Sequence, residues 1–342
     1  MSNEIIPVKI NQVAQADQLP AIIEAAGDNA RFAWEQDFLV EEENPNTNAA
    51  YRRAALRFLT WCHDELGKPL HQILPADVRG YIDGLTTLNR VDHEGLPKPA
   101  SKAMKKLHLT AIRKLFDRLV VRHAVVLNPA ASVKGPKHHV TEGSTPSTSP
   151  KSVEQMLAEM DTANNLVRLR DACIIGVLAW TAARAGAVAN LKRGDLYSDG
   201  TQFYLKFSEK GGKARNIPVR HDLLQLLEEY LARAGLTTAH PDAPLFCTAR
   251  GRSRQLTTTA MNGKDIANMA RRRYRDAGLP PSLTAHSLRA TTATALIDQG
   301  VPIEDVQHLL GHSDPRTTKL YDHTKRSVTR NIVERIPIEG RE

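Results

Sequence analysis

The sequence predicts a mainly α-helical protein with two domains: an N-terminal helical bundle and a C-terminal mixed α+β domain that contains a small antiparallel sheet. Its length of 342 residues suits two domains, because one domain averages about 150 residues. Residues 141–150 are Ser, Thr, Gly or Pro at every position except Glu142, which is typical of a linker. Apolar residues recur at helical spacing on both sides of it, whereas a strand-like alternation occurs only after it.

The N-terminal domain is expected to be an all-α bundle over residues 45–140, preceded by an arm over residues 1–44. Three helices are predicted, beginning near Asn46 or Thr47, after Pro75 and at Ser101. The arm is expected to be loosely ordered, because a chain terminus orders only where something fixes it.

The C-terminal domain is expected over residues 151–342 and is mostly helical. Its sheet should come from residues 202–207 and 215–219, which flank the Gly-containing turn SEKGGKAR. Three short helices close the domain. They are delimited by Thr284 and Gly300, by Pro302 and Gly311, and by Asp314 with Pro315, the last leading to Tyr321.

The distribution of charge favours a polyanionic partner. The net charge is +8, and residues 101–140 hold nine basic residues against the single acid Asp117. The longest apolar run, residues 172–180, is too short for a membrane span, and the N-terminus does not resemble a secretory signal. The three cysteines are isolated, which excludes disulfides and a cysteine zinc site and predicts a cytoplasmic protein.

Two short motifs near the C-terminus can carry chemistry. In HSLR, His286 and Arg289 lie three apart at a helix start, so both share one face beside free backbone N–H groups and form an anion site. In LLGHSDPRTTKLYDH, Gly311 ends a helix and exposes His312 before Tyr321. Tyrosine becomes a nucleophile only where a neighbour or nearby cations remove its proton.

Arg184 is a third candidate, because it emerges from an apolar helix with no acid nearby in sequence and must find a distant acid or hold an anion. A metal site from His308, His312 and His323 is disfavoured, since Gly311 should break the helix that would align the first two. The sequence also contains no GxxxxGK(S/T) motif for binding a nucleotide, so neither a metal nor another cofactor is expected.

The order of these motifs resembles that of the tyrosine recombinases, the family of phage integrases and chromosome-dimer resolvases. Six positions match those of the family: Arg184 in TAAR, Lys210 in EKGGKAR, His286 and Arg289 in HSLR, His312 in LLGH, and Tyr321. The segments NTNAAYRRAALRFLTWC and SKAMKKLHLTAIRKLFDRL are similar to the family's helical core-binding domain. The first box departs from the family, because Ala182 and Ala183 precede its Arg and Ala187 replaces an acidic residue.

The resemblance implies a site-specific DNA recombinase whose Tyr321 forms a 3′-phosphotyrosyl link without metal or ATP. It implies that the two arginines stabilise the transition state, that Lys210 or its rival Lys213 protonates the leaving oxygen, and that His286 accepts a proton or stabilises an oxyanion. Residues expected to contact DNA are Lys102, Lys105, Lys106 and Arg113, with the basic helix around Arg271, Arg272 and Arg273.

The expected partners are double-stranded DNA with a specific target site and three further copies of the chain, in a homotetramer on two DNA sites. The apolar spacing of Val328, Ile332, Val333 and Ile336 suits a tail that docks on a neighbouring protomer or packs within its own chain. The expected location is the cytoplasm, on the nucleoid. Two alternatives stay open: a type IB topoisomerase-like nicking and rejoining enzyme, and a DNA-binding accessory protein of the same fold without cleavage.

Overall fold

The computed structural model describes residues 19–42, 44–91, 95–137, 145–208, 214–251, 253–312 and 314–321. The chain divides into two compact units, residues 1–139 and residues 140–342, each with its own apolar core. None of the described helices combines the length and the apolar character that crossing a lipid bilayer requires.

The first unit is a helical bundle. Its α-helices are α1 (Ala21–Ala25), α2 (Asp28–Phe32), α3 (Pro45–Asp64), α4 (Pro75–Gly84) and α5 (Lys102–Val121), with a π-helix at Ala33–Phe38 and a 3-10 turn at Leu70–Gln72. Side-chain oxygens of Asn44 and Ser101 cap α3 and α5. Phe58 lies within the core, where the ring centroids of Tyr81 and Phe116 are 5.0 and 6.2 Å from its own.

This unit differs from the expectation in two places. Residues 19–42 are not a loose arm, because Ile23, Trp34 and Phe38 are buried in the same core as α3 and α5. Short helices of this kind are stabilised by tertiary packing, which a local sequence pattern does not reveal. The bundle is also interrupted by an antiparallel hairpin, β1 (Thr86–Val91) and β2 (Pro97–Pro99), which leads directly into α5.

The second unit is mixed α+β, which confirms the predicted fold class. Its helices are α6 (Pro150–Ala158), α7 (Leu166–Thr181), α8 (Ala185–Ala189), α9 (His221–Arg233), α10 (Gly263–Asp276), α11 (Ala285–Asp298), α12 (Ile303–Leu310) and α13 (Pro315–Lys319), with a 3-10 turn at Arg193–Asp195. Its strands are β3 (Leu196–Ser198), β4 (Phe203–Ser208), β5 (Ala214–Pro218), β6 (Cys247–Ala249) and β7 (Leu256–Ala260).

The expected hairpin is present as β4 and β5, and β3 extends it to a three-stranded antiparallel sheet. Leu205 on β4 lies opposite Ile217 on β5, and both face the core. The strands β6 and β7 form a second, two-stranded sheet.

The central helix α7 carries a buried ion-pair network that joins it to α10. Asp171 is fully buried and accepts hydrogen bonds from Arg170 at 2.5 Å and from Arg273 at 2.9 Å. Arg273 was expected on a DNA-binding face and is instead buried by this pairing. A basic residue in a helix gives no sign in sequence that its partner lies about a hundred positions away.

Two left-handed backbone turns shape the region around the predicted motifs. Gly311, with a φ of 63°, ends α12, and Ala182, with a φ of 50°, ends α7. Glycine adopts this conformation without penalty, whereas the Cβ of alanine makes it costly. Both turns lie beside α11, which carries His286 and Arg289.

Candidate functional site

Arg289 is the buried centre of the candidate site. Its side chain is 1% exposed, and its guanidinium donates to the carbonyl oxygens of Ala182 at 2.5 Å and of Leu310 at 2.6 Å. Burial lowers the pKa of Arg289 to about 10, and the positive charges of Arg184 and Arg215 act in the same direction. Arg289 therefore remains a cation at neutral pH, held by neutral oxygens.

Tyr321 lies against this cation and against His286. Its hydroxyl oxygen is 3.4 Å from Nε2 of His286, and its side chain is only 6% exposed. The Tyr321 hydroxyl also acts to raise the pKa of the Arg289 guanidinium. Partial desolvation lowers the pKa of His286, and the charges of Arg289 and Arg184 add to this effect. A neutral His286 presents an acceptor nitrogen to the tyrosine hydroxyl.

His312 lies on the turn between α12 and α13, parallel to the Tyr321 ring. The two ring centroids are 6.1 Å apart with an interplanar angle of 11°. Nδ1 of His312 is 2.9 Å from the hydroxyl oxygen of Thr318. Burial lowers the pKa of His312 to about 4, and the nearby positive charges, first that of Arg289, contribute. His312 is therefore neutral at physiological pH.

Arg184 joins the group from another part of the chain. It precedes α8, directly after the left-handed turn at Ala182, and its side chain is exposed. Its charge lowers the pKa of Arg289, His286 and His312. No described acidic side chain forms an ion pair with Arg184, and Ala187 on α8 offers none. The positive charge is thus available to an anion.

Arg215 was not predicted and belongs to the same cluster. It faces inward from β5, its guanidinium lies 5.6 Å from the centroid of the Phe207 ring, and it donates to the carbonyl of Leu309. Its charge contributes to the lowered pKa of His312. Strand alternation could have revealed it, because residue 215 shares a face with the buried Ile217.

The structure thus brings five of the six predicted positions together: Arg184, His286, Arg289, His312 and Tyr321. The sixth, Lys210, lies outside the described residues, as do its rival Lys213 and the apolar tail beyond residue 321. Of the metal ligands considered, His308 is exposed and His323 is outside the described residues. Within the ranges that the structure describes, no group of three His, Cys, Asp or Glu side chains is arranged to hold a metal ion.

The residues expected to contact DNA differ in their surroundings. Lys102 and Lys106 on α5 and Arg271 and Arg272 on α10 are exposed. Lys105 is half-buried and donates to the backbone carbonyl of Asp83 at 2.8 Å. Arg113 differs from the expectation. Its guanidinium is directed inward and donates to the carbonyls of Ala130, at 3.0 Å, and of Val133.

The other basic residues of α5 are neutralised within the first unit. Three ion pairs connect the C-terminal half of the helix to residues 37–42: Arg122 with Asp37 at 2.6 Å, Arg118 with Glu41 at 2.6 Å, and Lys114 with Glu42 at 3.7 Å. The exposed basic residues of α5 that no described acid pairs therefore lie at its N-terminal end. There, Lys102 and Lys105 line a recess of about 270 Å³ together with Arg79 and Lys134.

The chain is similar to known proteins in sequence and in fold. A family model described as "Phage integrase family" matches residues 147–327. The tyrosine recombinase XerD of Chlorobaculum tepidum is 27% identical over 305 residues, which cover 86% of this chain and 92% of that protein. The tyrosine recombinase XerC of Leptospira interrogans is 30% identical over 289 residues, covering 83% and 86%.

Among solved structures, the XerH site-specific recombinase bound to difH substrate in a pre-cleavage complex superimposes with a TM-score of 0.58. The sequence identity is 22%, and the match covers 81% of this chain and 76% of that one. The chain, which carries an integrase domain over more than half its length, belongs to the phage integrase family of tyrosine recombinases.

Proposed function

We propose that this tyrosine-type site-specific recombinase cuts DNA by attack of the Tyr321 hydroxyl oxygen on a backbone phosphodiester. A bond forms between that oxygen and phosphorus, and the bond from phosphorus to the 5′-oxygen breaks. The products are a 3′-phosphotyrosyl link and a free 5′-hydroxyl, which in the second step attacks the link on another strand. The observation that supports this most strongly is the Tyr321 hydroxyl oxygen, which lies 3.4 Å from Nε2 of neutral His286 and interacts electrostatically with the buried cation Arg289.

Four residues of the cluster, Arg184, His286, Arg289 and Tyr321, each suit one part of this reaction. The Tyr321 proton passes to Nε2 of His286, which is the nitrogen nearest the hydroxyl. The attack places additional negative charge on the non-bridging phosphate oxygens, and Arg184 and Arg289 stabilise that charge. Lys210 supplies the proton to the departing 5′-oxygen, a role that rests on the match of its motif with the family.

The chemistry needs no external energy source. One phosphate ester replaces another of similar energy, so the exchange does not require ATP hydrolysis. The proposed reaction also uses no metal ion, because Arg184 and Arg289 stabilise the charge on the phosphate. The residues named above provide proton transfer and charge stabilisation, which are the two contributions that phosphoryl transfer demands of a protein.

Both units are proposed to contact DNA, the first through Lys102, Lys105 and Lys106 on α5 and the second through Arg271 and Arg272 on α10. The positive charge at the N-terminal end of α5, which no described acidic side chain pairs, supports the role of the three lysines. The exposure of both arginines on α10 supports the role of Arg271 and Arg272. The expected partner is double-stranded DNA with a specific target site, in the cytoplasm on the nucleoid.

Recombination is proposed to take place in a homotetramer on two DNA sites. Exchange between two duplexes breaks four strands, and each chain offers one nucleophile, so four chains are needed. Sedimentation of the DNA complex, with and without residues 326–342, tests both the tetramer and the docking of its tail. A topoisomerase-like enzyme would work as a monomer and would not exchange strands between two sites.

A nicked suicide duplex tests the reaction, because loss of a short product strand prevents religation and traps the covalent adduct. Tyr321→Phe should form no adduct, while its DNA affinity stays within about twofold of wild type, since only one hydroxyl is lost. Adducts that persist in this variant would refute the assignment of Tyr321. A wild-type protein that binds the duplex without forming an adduct would instead favour the accessory DNA-binding protein.

A further inference from the structure

Thr318 lies between two residues of the candidate site, but the reaction described above does not use it. It is on α13, and its side chain is fully buried. Its hydroxyl oxygen is 2.9 Å from Nδ1 of His312, and its backbone carbonyl accepts the N–H of Tyr321 at 3.0 Å. Thr318 is thus in contact with the histidine and with the segment that carries the nucleophile.

The contact matters because a neutral imidazole exists in two forms. The proton is on Nδ1 in one form and on Nε2 in the other, and the remaining nitrogen can only accept a hydrogen bond. His312 is neutral because burial and the neighbouring cations Arg289 and Arg184 disfavour a second proton. The form that it adopts therefore decides whether Nε2 can donate to a phosphate oxygen.

The hydrogen bond between Thr318 and His312 distinguishes the two forms. Within the described part of the chain, Nδ1 of His312 is the sole hydrogen-bond partner of the Thr318 hydroxyl. If Nδ1 carried the proton and donated it, the hydroxyl proton of a fully buried side chain would lack an acceptor. If the hydroxyl donates to Nδ1, both groups are satisfied. The cost of an unsatisfied buried donor corresponds to a preference of about 5- to 150-fold for the second arrangement.

We propose that Thr318 is a positioning residue that fixes the proton of His312 on Nε2, so that this nitrogen donates a hydrogen bond to a non-bridging oxygen of the scissile phosphate. The proposal rests on the proposed function for the phosphate, although the proton position itself is a property of the free protein. Thr318 acts through His312 and does not touch DNA.

Ring ¹⁵N chemical shifts test the proton position directly in the full chain. With ¹⁵N-histidine labelling, and the His312 signals assigned through their loss in His312→Gln, the wild-type protein should show a protonated Nε2 and an unprotonated Nδ1. Thr318→Val keeps the shape and removes the hydroxyl, so its signals should move towards a mixture of the two forms. Thr318→Ser retains the hydroxyl and should resemble wild type.

Single-turnover cleavage of the nicked suicide duplex then connects the proton position to the reaction. Thr318→Val should slow adduct formation by about twofold, because equal population of the two forms leaves half of the molecules with the proton on Nε2, while DNA binding is unchanged and Thr318→Ser reacts at the wild-type rate. In the His312→Gln background, Thr318→Val should produce no further slowing, because the residue that it positions is already absent.

Three results would overturn the proposal. They are a proton on Nδ1 of wild-type His312, an unchanged proton position in Thr318→Val, and equal slowing by Thr318→Val in the presence and absence of His312. The first requires only the wild-type protein, so the test does not depend on the folding of a variant. If wild type forms no adduct at all, the proposed function fails, whereas the NMR result still decides the role of Thr318.

Discussion

Replacing Lys102 and Lys106 with glutamine should weaken DNA binding and make it less sensitive to salt. Both lysines are exposed at the N-terminal end of α5, and neither forms an ion pair with a described residue. Each lost phosphate contact makes the slope of log K against log salt concentration shallower by about 0.9. Two lost contacts change the slope by about 1.8 and, at about 0.1 M monovalent salt, weaken binding by about 60-fold.

The matched control removes two positive charges from the same helix, through Arg118→Gln and Arg122→Gln. These arginines are paired with Glu41 and Asp37, each at 2.6 Å, so their charge is already neutralised nearby. The slope should then change by less than about 0.5. Fluorescence anisotropy of a labelled duplex of about 30 base pairs, titrated over a range of about 0.05 to 0.3 M KCl, measures both slopes.

The two double variants carry the same net charge, so the comparison isolates the position of the charges. An equal change in slope for both would refute the reasoning, because net charge alone would then govern affinity. A steep slope retained by the lysine variant would also contradict it, since the phosphate contacts would have to lie elsewhere on the protein.

Two further predictions concern stability. Arg273→Met leaves the fully buried Asp171 with one partner fewer and should lower the free energy of unfolding, measured in urea, by about 3 kcal/mol. The control Arg272→Met changes an exposed residue of the same helix and should alter this free energy by less than about 0.5 kcal/mol. Equal effects of the two substitutions would contradict the buried network. Burial and the positive charge of Arg57 lower the pKa of His108 to about 4. Below pH 6.5 the unfolded state therefore binds a proton that the folded state does not bind, and the free energy of unfolding decreases as the pH is lowered. Between pH 6.5 and 5 His108→Phe should lose about 1.5 kcal/mol less than wild type, and an identical pH dependence would show that His108 titrates normally.

Local patterns account for the placement of several residues of the candidate site, whereas their assignment as one site rests on the resemblance to the family. The three-residue spacing of His286 and Arg289 fixes their common helix face, and Gly311 ends its helix through a left-handed turn that only glycine adopts readily. The alternation in β4 and β5 likewise predicts their pairing. These features depend on residues within a few positions of each other, which is the range over which a sequence pattern operates.

The features that were missed depend on distant contacts. Residues 19–42 fold because Trp34 and Phe38 pack on helices later in the chain. Helices this short hold too few residues for a hydrophobic periodicity to predict that packing. The sequence around Arg113 and Arg273 is typical of basic surface helices. In the structure Arg113 is directed inward by the carbonyl of Ala130, and Arg273 is directed inward by the carboxylate of Asp171. Arg215 joins the cluster through the carbonyl of Leu309 on α12, a contact that the sequence of the hairpin does not reveal.

The acceptors around Arg289 explain how a buried arginine can remain available to a substrate. A carboxylate partner would satisfy the guanidinium and also cancel its charge. The carbonyls of Ala182 and Leu310 satisfy two of its donors while leaving the net charge intact, and the C-terminal end of the α12 dipole adds a modest stabilisation. Arg215 binds the neighbouring carbonyl of Leu309 in the same manner.

The lowered pKa of Arg289 shows that these neutral partners do not fully offset its burial. The alanine at position 187, where the family has an acid, leaves the cluster with one negative charge fewer. A phosphodiester that enters this site therefore supplies the negative charge that the protein lacks there. Its attraction to the arginines increases as negative charge builds on its oxygens during the attack. The lack of negative charge around Arg289 makes the free site costly to fold. The same lack of negative charge favours the transition state over the bound substrate, because the transition state carries more negative charge.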